Sequence, residues 1–269
     1  GYTPKDEIKF GLTLIGRAID YLPYFIYTFD ELGKIGIGKG RGKYKLKTVK
    51  SVKMQDASDK AVKGDSEKMS DSDAVIPAKA GIQTIYDSDT KTLKSFTLSY
   101  LPIAFTKDTP SVPVIPACQE SFLKTDSGQA RMTAGNPQLL MLNFLTPTRI
   151  VYDSHLTIDL EFHVLIRQLL RRISLLSYFH CSIDTSAWDF KGIIEKSKEV
   201  IVKQRNLKWH DWERYSARQD TRMKMGGFVG VISFEGNIEP FMSLINAGEV
   251  LHAGKGTSFG LGKYVIQAS

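Results

Sequence analysis

Five histidines, two basic glycine-rich loops and one arginine-bearing stretch hold the side chains of this 269-residue chain best suited to chemistry. An imidazole changes protonation near neutral pH, so His155, His163, His180, His210 and His252 are the first candidates for general acid or base work. His180 closes a run striped with Leu169, Ile173 and Leu176. That spacing would carry its ring to a helix C-terminus, where an imidazolium is favoured, and toward a pocket. A histidine that only caps the helix fits the same position. His252 abuts a glycine loop and stands second, while His155, His163 and His210 read as surface residues. Ser216 offers a hydroxyl among arginines and is a third candidate.

Loops rich in glycine and lysine suggest phosphate. Gly33 to Lys39 has the G-x-x-x-x-G-K spacing of a nucleotide loop, yet position 40 is Gly where magnesium binding needs Ser or Thr. This loop also follows a helix and opens a strand, the reverse of the order that aims a helix N-terminus at phosphate. No nucleoside triphosphate site is expected. What remains is backbone able to approach an extended chain of phosphates. One loop has Gly36, Gly38, Gly40 and Gly42 with Lys39, Arg41 and Lys43; the other has Gly254, Gly256, Gly260 and Gly262 with Lys255, Ser258 and Lys263. Helix termination and tight packing would use the same glycines, but both loops share "GKG" and "GKY", which favours a nucleic-acid contact.

In "DWERYSARQ" (211–219) a strand period puts Trp212, Arg214, Ser216 and Arg218 on one face and Tyr215 and Ala217 on the other. Guanidinium groups beside an aromatic ring suit RNA bases and phosphates. A solvated edge strand balanced by Asp211 and Glu213 is the plain alternative. Arg222 and Lys224 follow directly and would add phosphate neutralisation, whereas solvation alone accounts for Arg167, Arg171 and Arg172.

The elements that must position these groups follow from periodicity. Residues 6–15 alternate Ile8, Phe10, Leu12 and Leu14 and predict a strand; residues 18–32 change to helical spacing with Ile19, Leu22, Ile26, Phe29 and Leu32. The strand "KYKLKTVKSV" (43–52) follows the first glycine loop. From 56 to 137 the composition turns to Asp, Ser, Lys, Pro and Gly, with a strand expected at 92–105. Here "VIPAKAGIQ" (75–83) and "VIPACQESF" (114–122) resemble translated dispersed repeat elements, which implies a tolerated insertion. Beyond it the pattern predicts a strand at 138–151, a helix at 158–180, a shorter helix at 187–203 and strands at 211–219 and 227–236. A helix at 238–251, the second glycine loop and a closing strand complete the chain.

The order β, α, β, β, α, β over 138–267 matches a ferredoxin-like fold, and the first 53 residues match its last three elements. The expected class is α+β. Two tandem ferredoxin-like (RRM-like) modules have antiparallel sheets with helices on one face, the first incomplete at its N-terminus. The reading divides the chain into 1–55, an insertion-like segment 56–137 with one or two strands, and 138–269. A net charge of +7, with no acid between Glu31 and Asp56, suggests a polyanionic partner. With 42% hydrophobic residues, no long apolar run and two cysteines, Cys118 and Cys181, a cytoplasmic, non-membrane protein is expected.

"FGLTLIGRAIDYLPYFIYTFDELGKIGIGKGRGKYKL", "LNFLTPTRI", "LIRQLLRRISLLSYFH", "WHDWERYSARQDTRMKMGGFVGVISFEG" and "LHAGKGTSFGLGKYVI" together resemble the CRISPR-associated endoribonucleases that process precursor CRISPR RNA, within the repeat-associated mysterious protein superfamily. The resemblance implies cleavage within a CRISPR repeat without metal or cofactor, the 2′-OH attacking its own phosphate to leave a 2′,3′-cyclic phosphate. It implies CRISPR repeat RNA, and the guide RNA made from it, as partner, with other effector subunits or an adaptation protein as further partners. The "FH" at His180 matches the family pattern. Two rivals stay open: a non-catalytic guide-RNA subunit of the same superfamily, and a general RNA-recognition protein, against which stands the lack of the aromatic-rich strand motif.

Overall fold

The computed structural model describes residues 6–38, 40–52, 82–94, 138–216 and 220–267. The chain divides into two units, Arg17–Tyr100 and Gly1–Gly16 with Leu101–Ser269. Among the described residues no helix is long and apolar enough to cross a membrane.

In the unit Arg17–Tyr100, helix α1 (Leu22–Ile35) begins where Pro23, lacking an N–H, is tolerated in the first turn, and a 3-10 turn over Gly16–Tyr21 precedes it. Ile26 is buried, and the rest of the expected stripe is half-buried. Strands β1 (Thr48–Val52), β2 (Ile82–Asp87) and β3 (Thr92–Leu93) pair antiparallel in that order. Three expectations change here. The strand after the first glycine loop starts at Thr48, not at 43. β2 forms where no strand pattern was read, with Ile85 buried, and it begins inside the first near-repeat. Of the strand expected at 92–105, β3 is its start and 95–105 lies outside the described residues. The described part of this unit is thus one helix with a three-stranded antiparallel sheet.

The larger unit has the ferredoxin-like order. Strands β4 (Gln138–Thr148), β7 (Ile201–His210), β10 (Gly227–Gly236) and β11 (Tyr264–Gln267) form one antiparallel sheet in the order β11-β4-β10-β7. Helices α2 (Phe162–Cys181) and α4 (Met242–Leu251) supply the core that covers it. The alternating Leu140, Leu142 and Phe144 of β4 are buried with Leu165, Leu169 and Ile173 of α2, while Leu139 and Leu145 remain exposed. Each fully buried Leu or Phe contributes about 1.5–3 kcal/mol through area removed from water. Edge-to-face rings tighten the core, Phe162 lying 5.1 Å from Phe234 and Phe144 lying 5.1 Å from Phe228. The buried Tyr264 hydroxyl donates to the Ile245 carbonyl at 2.7 Å, and burial pushes its pKa well above the usual range.

Several sequence expectations fail for physical reasons. Residues 6–15 form no strand: Ile8, Phe10 and Leu12 are exposed, so alternation without a pairing partner did not make one. The helix expected at 187–203 is α3 (Phe190–Ser197), N-capped by the Asp189 carboxylate accepting from the Gly192 N–H at 3.0 Å. Residues 201–203 instead open β7, an edge strand on which only Val202 and Leu207 are half-buried. The second sheet strand is therefore β7 and not 211–219. That stretch contributes β8 (Glu213–Ser216), which pairs with β9 (Thr221–Lys224) as a separate two-stranded hairpin. The strand expected at 138–151 breaks after Thr148, and β5 (Ile150–Tyr152) turns back into β6 (His155–Thr157). Asp153 and Ser154 at φ 49° and 66° make that two-residue turn.

Candidate nucleic-acid interface

Helix α4 ends at Leu251, and the glycine loop that follows is laced to the end of β4. The Ala253 N–H donates to Gly262 O at 2.8 Å, the Gly262 N–H to Pro147 O at 3.1 Å, and the Lys255 N–H to Arg149 O at 2.9 Å. The Thr146 hydroxyl donates to Gly260 O and accepts from the Lys263 N–H, both at 2.9 Å. Gly254 and Gly262 sit at φ +82° and +75°, and an added Cβ would collide with the carbonyl oxygens of Arg149 and Ala253. Those two glycines serve close chain approach. Gly260, at φ +79°, has open space where a Cβ would stand. Between them a 3-10 turn over Thr257–Phe259 holds Ser258 and Phe259 out to solvent, with Lys255 exposed beside it.

The hairpin β8–β9 meets this loop. The Arg214 guanidinium lies over the Phe259 ring, 4.5 Å from its centroid. Arg149 donates through Nη1 to the Lys224 carbonyl in β9, while its own carbonyl receives the Lys255 N–H. Arg149 Nε is buried with no hydrogen-bond partner among the described residues. These contacts bring Arg214 and Phe259 together, with Lys255 and Ser258 exposed in the same loop and Trp212, two residues before Arg214, 38% exposed; Lys224 pairs with Glu213 on the opposite face of the hairpin from Arg214. Arg222 faces Glu213 at 3.9 Å, an exposed pair. Lys263, also exposed, stands at the far end of the loop. Sequence reasoning had selected the cations and Trp212 but not Phe259 or Arg149. An exposed aromatic at a glycine-loop tip was the available signal for Phe259.

The other sequence candidates fall elsewhere or out of reach. Lys39 and Arg218 lie outside the described residues, and of Ser216 only the backbone is described, paired with Thr221. In the unit Arg17–Tyr100 the first glycine loop closes on itself through an Ile37–Gly42 bridge, its turn held by the Arg41 N–H donating to Gly38 O at 3.1 Å. Gly36 and Gly38 have positive φ, and Gly40 has open space around it. Arg41 and Lys43 are exposed. This loop has the same place after a helix as the second but, among the described residues, none of its lacing to a neighbouring strand.

His180 is exposed at the end of α2, as are Tyr178 and Phe179, because the last turn of this helix runs past the core, with Ser177 its last buried residue. His163 is not a plain surface residue either, since it is half-buried against the Tyr152 ring and burial lowers its pKa. His252 is half-buried at the C-cap of α4. Its Nδ1 is 3.2 Å from Leu261 O; a carbonyl can only accept, so Nδ1 carries the proton and Nε2 is left as an acceptor. Burial holds the imidazole below its usual pKa, the Leu261 hydrogen bond opposes this, and the charges of Lys263 and Arg172 add to the lowering. Arg172 is itself half-buried and donates to Leu251 O at 2.7 Å, satisfying the end of α4.

Residues 142–264 match the family model of the CRISPR-associated endoribonuclease Cas6, and residues 1–74 match a model described as an N-terminal domain. No curated protein matches the chain. Among solved structures, the Cas6 (TTHA0078) product complex is 20% identical with a TM-score of 0.34, covering 50% of this chain and 53% of that one. Thermus thermophilus Cas6 (TTHB231) is 18% identical with a TM-score of 0.37, covering 50% and 55%. A partial Cas6-RT-Cas1–Cas2 complex is 14% identical with a TM-score of 0.37, covering 51% and 24%. The chain spans about half the length of the first two of these structures. Over residues 142–264, a little under half of its length, the chain is similar to the CRISPR-associated endoribonuclease Cas6 family.

Proposed function

We propose that this chain binds CRISPR repeat RNA on the surface shared by the second glycine loop and the β8–β9 hairpin, and that it cuts the repeat to yield guide RNA. The observation that carries this is the contact of Arg214 with Phe259 on the exposed loop that also bears Lys255 and Ser258, within the Cas6-matched segment. Backbone and guanidinium donors there suit phosphates, and the exposed rings suit bases. His252 supports a cutting role. Neutral at pH 7, with Nε2 free to accept, it suits removal of the proton from a 2′-OH. The 2′ oxygen then bonds to the adjacent phosphorus, the bond to the 5′ oxygen breaks, and that oxygen leaves with a proton from an acid. Lys263 and Arg172, whose charges reach His252, suit the charge that gathers on phosphate. His180 is the sequence candidate for the acid and Ser216 a further polar group. Arg41, Lys43 and the acid-free lysine run would contribute phosphate contacts from their own unit. A cytoplasmic site of action and assembly with other CRISPR proteins belong to the same reading.

A guide-holding role without cleavage is the second reading, favoured by the exposed position of His180. The deciding experiment is incubation of the chain with labelled CRISPR repeat RNA in excess EDTA, with product termini identified. A single cut leaving a 2′,3′-cyclic phosphate and a 5′-OH is the expected result. Tight binding with no cut would assign the chain to guide holding, and no binding would overturn both.

A further inference from the structure

We infer that Phe259 and Arg214 form a stacking platform for one unpaired RNA base, so that RNA crossing the glycine loop is held there as an open strand. The inference rests on the RNA-binding reading above and narrows its substrate.

Phe259 is 53% exposed at the loop tip, so its ring is open to a ligand. The tip is also well held. The Phe259 N–H donates to Gly256 O at 2.9 Å, the Gly260 N–H to Thr257 O at 3.0 Å, and the Thr146 hydroxyl fixes the Gly260 carbonyl. Little ordering would remain to be done on binding. Arg214 places its planar guanidinium over the ring, and among the described residues it has no carboxylate partner. It therefore keeps its charge for a ligand while stiffening the ring. Gly260, with open space beside it, leaves room for a flat group to approach. Trp212 precedes Arg214 by the strand period and is partly exposed, and Lys255 stands exposed in the same loop for a flanking phosphate. Bases in an A-form duplex have their faces covered by their neighbours, so a ring presented this way fits only an unstacked base. Every base has a π face, so the platform sets strand state rather than sequence.

The test measures binding of a fluorescein-labelled oligouridylate, free and annealed as a duplex, to the whole chain and to Phe259→Ala, Phe259→Leu and Phe259→Trp. The expected result is a preference of the unaltered chain for the single strand. Phe259→Ala and Phe259→Leu should both weaken single-strand binding roughly 5- to 100-fold, the size of one lost base stack, while Phe259→Trp retains it. Duplex binding should weaken far less. Full binding by Phe259→Ala, or by Phe259→Leu, would overturn the platform while leaving the RNA-binding reading in place. Equal binding of single strand and duplex by the unaltered chain would do the same. Binding of neither oligonucleotide would overturn the RNA-binding reading itself. Thermal melting of each variant separates a local loss from unfolding, since Phe259 contributes little to the core.

Discussion

His252 adopts φ 64° with ψ 162°, backbone that a non-glycine residue seldom takes and keeps only where its surroundings hold it. The hydrogen bond of its ring to the Leu261 carbonyl, and that of the next residue's N–H, Ala253, to Gly262 O, belong to those surroundings. Replacing it by glutamine is expected to slow repeat cleavage by about 10²- to 10⁴-fold, the usual worth of a positioned acid or base, with RNA affinity within a few fold. Cleavage unchanged in His252→Gln but lost in His180→Ala would move the base to the end of α2. The pH dependence has a definite direction. Burial places the folded pKa of His252 below the ordinary 6.5, so a rate carried by the neutral ring should reach half its plateau at a pH below 6.5. Between those two values the unfolded chain binds more protons, so this contribution to stability is whole above pH 6.5 and lost as pH falls through the folded pKa. His163, lowered by its own burial, adds a loss of the same sign, and His252→Gln should remove only part of the slope. At this scale the lysines and arginines could be picked from sequence by charge and period. That Arg149 joins loop to hairpin through main-chain carbonyls could not, because such bonds depend on where the chain passes and not on residue type.

Helices and strands were legible where one face is buried. The stripe Phe162, Leu165, Leu169 and Ile173 is buried as its spacing predicts, and β10 with its buried Phe228, Ile232 and Phe234 was equally plain. β7 was not, since an edge strand with exposed Ile201, Lys203, Arg205 and Trp209 carries almost no alternation to read. Residues 6–15 erred in the opposite way, showing alternation but no sheet to join. The glycine loop is an element whose geometry discriminates among its own glycines. Gly262→Ala and Gly254→Ala should each cost more than the roughly 1–2 kcal/mol of left-handed backbone alone, because the new Cβ also meets a carbonyl oxygen. Gly260→Ala should cost only about that backbone term, having open space at the site. Thermal unfolding of the three variants measures the order. Equal losses at all three would mean that the loop relaxes away from β4, and that its lacing to Thr146, Pro147 and Arg149 does not hold it.

Over the whole chain, the net charge of +7 is less informative than its placement. Some of the cations are already engaged: Lys45 pairs with Asp89 at 2.8 Å, Lys203 with Glu235 at 2.7 Å and Arg205 with Asp159 at 3.2 Å. Lys255 is exposed, and its side chain meets no carboxylate among the described residues, so it can neutralise a phosphate without first leaving a partner. Each phosphate neutralised on a single strand releases counterion and adds about −0.7 to the slope of log K against log salt. Lys255→Ala should therefore flatten the salt dependence of repeat-RNA binding by about that amount. Its effect should be alike for every RNA sequence tried, because a lysine reads charge and not base identity. Phe259→Ala should do the reverse, weakening binding while leaving the slope in place, because a base stack releases no counterion. A titration series over several salt concentrations distinguishes the two variants directly. If Lys255→Ala left the slope unchanged, the strand would have to pass the loop on its other side, and the surface around Arg214 would lose its claim to the phosphate path.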